Sequence, residues 1–396
     1  MKKGAFKKIL FFLSLSVFFT ACSFNQKEHK TETVIENTGE VIEEAVGRQE
    51  EEKEEVFQDS EIQVALFYYT YEDYFITGIR NEIDRIFKVS GVPYYDYDAA
   101  NNQETQLSQI DTAIGRGAKV LVVNQVIAGN EKIATEIVEK AKAADCYLIF
   151  FNRPVEKEEN EGMVLGLYEK CAFVGTNPAE AGHMQGKMIG TYVLDHYETI
   201  DKNKDGIIQY ALFKGQEDNV EATYRTKYSV EDADAILIQE GKPALEYFDS
   251  TNTDKYQVDP EGTWSENWAK QMMQENIGNY GQEGKKGIEL IISNNDGMAK
   301  GAIEALNELG YNLGETEEST IPVFGVDAIE SAKELIEEGK MTGTIKQDKD
   351  GMVNAMIHLV GNGLNHKSLL EGTEEFVVSP NCKNKIFIPY AEYRIE

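Results

Sequence analysis

The run Tyr147-Leu148-Ile149-Phe150-Phe151-Asn152 places five large apolar or aromatic residues in succession and stops at an amide. A strand with one wet face alternates polar and apolar residues, whereas an unbroken apolar run belongs to a strand buried on both faces. That condition is met in a parallel sheet covered by helices. The neighbours of this run repeat its form. Upstream lies Lys119-Val120-Leu121-Val122-Val123-Asn124, and between the two, Glu131 to Ala143 carries helical spacing. Further back, Ile62-Gln63-Val64-Ala65-Leu66-Phe67-Tyr68 is followed by helical spacing from Phe75 to Phe87. Downstream, after Ala172-Phe173-Val174-Gly175, the alternation resumes with a helix from Pro178 to about Tyr197 and a strand from Ile207 to Phe213. Later strands are Ile288 to Ser293, Ile321 to Val326 and Thr342 to Ile345. The spacing predicts an α/β protein of two doubly wound parallel-sheet lobes joined by a hinge. The first lobe is expected to comprise residues 61–174 and 348–382, the second residues 175–347 and 383–396.

The 396 residues suffice for two such lobes, and 41% hydrophobic residues suffice for their cores. A net charge of -30 argues against nucleic acid and against docking on an anionic bilayer through the protein surface. Four cysteines without C-x-x-C spacing and five histidines without H-E-x-x-H give neither a disulfide framework nor a zinc hydrolase. His183, His196, His358 and His366 read as ordinary helix residues. Residues 1–21 read as an export signal, with Lys2, Lys3, Lys7 and Lys8 before the apolar core Ile9 to Phe19. It ends in Phe19-Thr20-Ala21-Cys22, which resembles a bacterial lipobox, so Cys22 is the expected lipidation site and the chain is expected outside the cytoplasm, anchored to the membrane. Residues 22–60 are a Glu-rich tether too poor in apolar groups to fold alone.

The most chemically specific run is Asp201-Lys202-Asn203-Lys204-Asp205-Gly206-Ile207-Ile208-Gln209. Oxygen-bearing side chains at positions 1, 3 and 5, Gly at 6, a carbonyl at 7 and a further ligand at 9 form the opening of a calcium loop. An EF-hand adds a bidentate Glu at position 12, where this chain has Leu212. A carboxylate from elsewhere must therefore complete the sphere. Polar residues also recur where the strands end, at Asn152, Asn294-Asn295-Asp296 and Asp327. Ligands of open parallel sheets bind beyond these ends, although each such residue is also a candidate helix cap. Asp296, before Gly297-Met298-Ala299, has the look of a cap.

From about Ile62 to Tyr390 the chain resembles the bacterial periplasmic glucose/galactose-binding proteins. The resemblance rests on Tyr71-Glu72-Asp73-Tyr74-Phe75, Phe150-Phe151-Asn152, Phe173-Val174-Gly175-Thr176, the calcium loop, Asn294-Asn295-Asp296, and Pro322 to Ala328. It implies a structural Ca2+ held by Asp201, Asn203, Asp205, the Ile207 carbonyl, Gln209 and the remote Glu289. It also implies a monosaccharide between the rings of Phe75 and Trp264, its hydroxyls meeting Asp73, Asn152, Arg225, Asn295 and Asp327. Three positions depart from the family pattern: Asn219 stands for a histidine, Glu221 for an aspartate and Gln347 for an asparagine. These departures leave the epimer preference open. Trp268 is expected to pack on its own lobe rather than wall the cleft.

The function so implied is a solute receptor, a monomer that passes galactose, glucose or a methyl-galactoside to an ABC permease. The chain has no G-x-x-x-x-G-K-[ST] loop, so ATP hydrolysis falls to the permease's ATPase subunits. Three other readings stand beside it: a chemosensory receptor without a transport role, a glycoside hydrolase using two of Asp73, Glu221 and Asp327, and a ligand-responsive transcription regulator. Product release from a disaccharide distinguishes the enzyme, and the export signal in place of a helix-turn-helix counts against the regulator.

Overall fold

The computed structural model describes residues 62–279, 286–316 and 319–395. The expected export signal, the expected lipidation site Cys22 and the expected tether lie outside the described residues. Five strands open the chain: β1 (Val64–Tyr68), β2 (Tyr94–Asp98), β3 (Val120–Val123), β4 (Tyr147–Asn152) and β5 (Cys171–Gly175). Six follow: β6 (Gln209–Lys214), β7 (Glu246–Tyr247), β8 (Gln257–Val258), β9 (Leu290–Ser293), β10 (Val323–Asp327) and β11 (Gly343–Gln347). Three short ones close it: β12 (Val377–Val378), β13 (Lys385–Phe387) and β14 (Tyr390–Tyr393). Among the described residues they form two sheets, in the orders β12-β13-β5-β4-β3-β1-β2 and β14-β11-β10-β9-β6-β7, with β8 pairing β6. Only β12 with β13 and β11 with β14 pair antiparallel.

The run 147–152 is fully buried, as its composition requires, because helices cover both faces of its sheet. Its partners β3 and β5 place Val122 beside Ile149 and Phe173 beside Phe150 in parallel register. The helices form where spacing and caps agree. Helix 131–143 starts with the Asn130 side chain accepting a hydrogen bond from Ile133 N, and buries Ala134, Ile137, Val138 and Ala141 along one stripe.

The chain passes between the sheets three times, at 175–178, 347–349 and 387–390. Two of the expected boundaries shift accordingly. Gly175 belongs to the first lobe, as the last residue of β5 opposite Asn152. The return of the tail comes after Phe387 rather than at 383, because Lys385, Ile386 and Phe387 pair with Phe173, Val174 and Gly175. The tail had no apolar run long enough to mark this strand. The crossings are stitched together where Ile388 N donates to Gly175 O at 2.7 Å and the Tyr390 hydroxyl donates to Thr176 Oγ1 at 3.0 Å. The expected helix from Pro178 also breaks at His196, into 178–195 and 197–200.

Candidate functional site: an oxygen-lined cleft and an acidic loop

All ten residues singled out for a ligand line one cavity between the lobes: Asp73, Phe75, Asn152, Asn219, Glu221, Arg225, Trp264, Asn295, Asp327 and Gln347. It encloses about 330 Å³ of space, part of it open to solvent. The first lobe contributes the end of β4 and the start of helix 74–90, where Asp73 Oδ1 caps Ile76 N at 3.0 Å. The second contributes the starts of helices 220–239 and 296–307, capped by Asn219 and Asn295. Asp296 is therefore not the cap. It is wholly buried one residue inside the helix, accepting from Thr344 Oγ1 at 2.6 Å and from Ile329 N at 3.0 Å.

Three cavity residues sit at positive φ: Asn152 at 59°, Trp264 at 60° and Asp327 at 123°. Backbone of this kind costs free energy in residues with a Cβ and is retained where surrounding structure over-determines it. Here it turns the side chains at the strand ends into the cleft. Trp264 is further fixed by Gly215, since a Cβ there would overlap the indole ring. Trp268 points away, edge-on to Phe213 at 6.0 Å, within its own lobe.

Arg225 organises the polar side. Its Nη1 donates to Asn294 O at 2.9 Å, and its Nη2 to Gln347 Oε1 and to the Tyr390 hydroxyl, both at 3.1 Å. Glu221 and Asp327 stand 3.6 and 3.8 Å from the guanidinium. Burial alone would push Arg225 down, but Tyr390, Glu221 and Asp327 outweigh it and hold the cation charged. Burial raises Asp327 well above the ordinary carboxylate range, against the pull of Arg225. Two buried donors here, Arg225 Nε and Gln347 Nε2, have no hydrogen-bond partner. Groups of this kind are costly unless an acceptor meets them.

Two further lining residues, Tyr69 and Arg153, escaped the sequence reading. The Tyr69 hydroxyl donates to Asp73 Oδ2 at 2.7 Å, and the Arg153 guanidinium lies over the Tyr69 ring at 3.8 Å from its centroid. Their only sequence signal was position, each falling directly after a residue already marked as a strand end.

The loop 201–209 lies elsewhere on the second lobe. Glu289, 2% exposed, accepts from Lys202 N at 2.7 Å, Asn203 N at 3.1 Å and Gln209 N at 3.2 Å. The remote carboxylate is thus brought onto the loop. Gly206 (φ 79°) makes the turn, and its amide donates to Asp201 Oδ2 at 3.0 Å. The other oxygen, Asp201 Oδ1, is buried without a partner. Asn203 Nδ2 donates to Gln209 Oε1 at 2.6 Å, and Gln209 Nε2 to Asp205 Oδ2 at 3.0 Å. Among the described residues no three His, Cys, Asp or Glu side chains converge tightly enough to hold a metal as they stand. The donor set is nonetheless all oxygen and rich in carboxylate, the chemistry of a hard cation, and an orphaned carboxylate oxygen fits that group.

The family model described as the periplasmic binding protein domain matches residues 64–368. The D-galactose/methyl-galactoside binding periplasmic protein MglB of Haemophilus influenzae is 34% identical over 307 residues, covering 77% of this chain and 82% of that protein. Among solved structures, an ABC transporter periplasmic solute binding protein from Actinobacillus succinogenes with bound D-allose superposes with a TM-score of 0.62. It is 16% identical and covers 84% of this chain and 98% of that one. An ABC transporter solute binding protein from Bacillus halodurans with bound myo-inositol gives 0.60 at 20% identity, covering 86% and 96%. At these identities the structural matches speak for the fold.

Proposed function

Because the chain belongs to the periplasmic binding protein domain family, we propose that it is an extracytoplasmic receptor for one monosaccharide, delivered to an ABC permease. The ligand is galactose, glucose or a methyl-galactoside. The observation that carries this reading is the cavity: two aromatic rings, Phe75 and Trp264, with amides, carboxylates and the two unpartnered donors of Arg225 and Gln347 around them. A pyranose has apolar C–H faces and an edge of hydroxyls. Each hydroxyl can accept from Arg225 Nε or Gln347 Nε2 and donate onward to a carboxylate such as Asp327. The similarity to a D-galactose/methyl-galactoside binding protein supports this sugar class.

The departures at 219, 221 and 347 bear on which hydroxyls are read. Asn219 spends its carbonyl on Ala222 N at 3.0 Å and its amide on Gln216 at 3.2 Å. Glu221 accepts from Thr176 Oγ1 at 2.9 Å. Gln347 keeps its Nε2 for the ligand. Titrating Trp264 fluorescence with glucose, galactose, their methyl glycosides, xylose and ribose tests the reading, with Trp264→Phe as the control for the source of the signal. A saturable micromolar or tighter response to one hexose is expected; no response to any sugar overturns it.

The oxygens of Asp201, Asn203, Asp205, Gln209 and Glu289, with the Ile207 carbonyl, would hold a structural Ca2+. A bound ion would neutralise the carboxylates and tie the loop to the strand leading to Asn295. The lipobox-like Cys22 supports an acyl anchor holding the receptor at the membrane beside its permease.

A further inference from the structure

Among the described residues, few polar contacts cross the cleft. Asn101 Nδ2 donates to Glu261 O at 2.6 Å on one lip, and on the other Tyr74 lies against Gly297 and Glu266. The third contact is inside the cavity. Arg153, 3% exposed, is rooted in the first lobe through the Tyr69 ring and through hydrogen bonds from Nη1 to Val126 O and to Gln125 O, the latter at 3.5 Å. Its free arm, Nη2, reaches over to the second lobe and donates to Gln216 Oε1. Gln216 is held ready for it. Asn219 Nδ2 donates to the same oxygen at 3.2 Å, and Gly262, at φ 64°, leaves the room its side chain occupies.

The physics of this contact is unusual in one respect. The acceptor that closes on Arg153 is a neutral amide, and no salt bridge to Arg153 is formed among the described residues. A buried guanidinium satisfied by carbonyls, an aromatic face and an amide is hydrogen-bonded but not charge-matched at contact. Burial pushes its pKa down, against Tyr69, Asp73 and Glu221. Opening the cleft would return this cation to water, whereas closing asks the Gln216 dipole to compensate for lost hydration.

We propose that Arg153 and Gln216 form a cross-cleft latch that sets the balance between open and closed receptor, held weak by the neutral partner so that ligand can leave. The latch rests on the monosaccharide-receptor reading for its purpose, but its geometry does not. Arg153 is a positioning residue on this view. It acts on the bound state by fixing Gln216 and, through it, Asn219. A carboxylate at position 216 would set an anion, rather than a neutral dipole, against the buried guanidinium and allow a bidentate ion pair, and drive the equilibrium toward closure.

The test uses Gln216→Glu, Gln216→Ala and Arg153→Met in the full chain, with thermal melts to confirm folding. Gln216 is only half-buried, so its variants keep the question answerable if Arg153→Met fails to fold. Small-angle scattering without sugar reads closure directly. Stopped-flow Trp264 fluorescence reads release of glucose or galactose. The expected result is a smaller radius of gyration and roughly tenfold slower release for Gln216→Glu. A larger radius and several-fold faster release are expected for Gln216→Ala. Wild-type radius and release rate in both Gln216 variants overturn the latch. A chain that binds no sugar overturns the receptor reading instead, and the scattering series still decides the latch.

Discussion

The cleft and the acidic loop are both built of oxygen-bearing side chains, yet they are left incomplete in opposite senses. In the cleft the buried groups without partners are donors, Arg225 Nε and Gln347 Nε2; in the loop the orphan is an acceptor, Asp201 Oδ1. An N–H deprived of water seeks a neutral or anionic oxygen. A carboxylate oxygen deprived of water seeks a proton or a cation. On the proposed reading, the same residue types, amides and acids, prepare one site for hydroxyls and the other for a metal ion. What differs is which member of each hydrogen-bonded set is used up. Arg225 spends its terminal nitrogens on Asn294, Gln347 and Tyr390, whereas in the loop backbone amides consume the Glu289 oxygens.

The largest test of this contrast is Arg225→Met. Glu221 and Asp327 lose their common cation in a buried site, which should cost roughly 3–5 kcal/mol of stability in urea unfolding as well as abolish sugar binding. A loss of binding with unchanged stability would mean that the guanidinium serves only the ligand. Next in size, Trp264→Ala should weaken hexose binding by at least about 2 kcal/mol, read by calorimetry. If affinity survives, the flat face of the sugar is not gripped as described.

On the loop side, a chelator should lower the melting temperature by several degrees, consistent with about 2–3 kcal/mol from a well-occupied site. Glu289→Gln should remove most of that sensitivity. A melt unaffected by chelator, with no calcium in elemental analysis, would show that amide–carboxylate hydrogen bonds alone satisfy the loop. A separate test concerns pH. Burial pushes Asp296 from 3.8 up to about 7, so the folded chain keeps a proton that the unfolded chain has already released. Its contribution to stability is fully present below about 4 and lost as pH rises through 7. Asp327 has the same sign. Asp296→Asn should flatten the melting curve between pH 4 and 7; an undiminished slope assigns the effect to other carboxylates.

Alternation of buried runs and helical stripes predicted two parallel sheets because burial on both faces forces continuous apolar sequence, as in 147–152 and 119–124. The same logic failed at β13. Its three residues are an edge addition whose pairing with β5 supplies what their composition does not. The sequence pattern pointed to Asp296 as the cap of its helix, one residue too late. Only packing against Thr344 and Ile329 decided that Asn295 caps while Asp296 is buried. Tyr69 and Arg153 were invisible for a related reason: an aromatic or a cation after a strand has no periodicity, and its meaning lies in the ring or amide it meets.

By itself the sequence determined the loop's donor spacing, the order of the long buried strands, and the residue types set at their ends, since all of these are local or periodic properties of the chain. Tertiary structure alone decided where the lobes divide, which buried donors and acceptors stay unpaired, and that Arg153 reaches across to Gln216. Those are matters of distance between residues far apart in sequence, and hydrogen-bond satisfaction cannot be counted until both partners are placed.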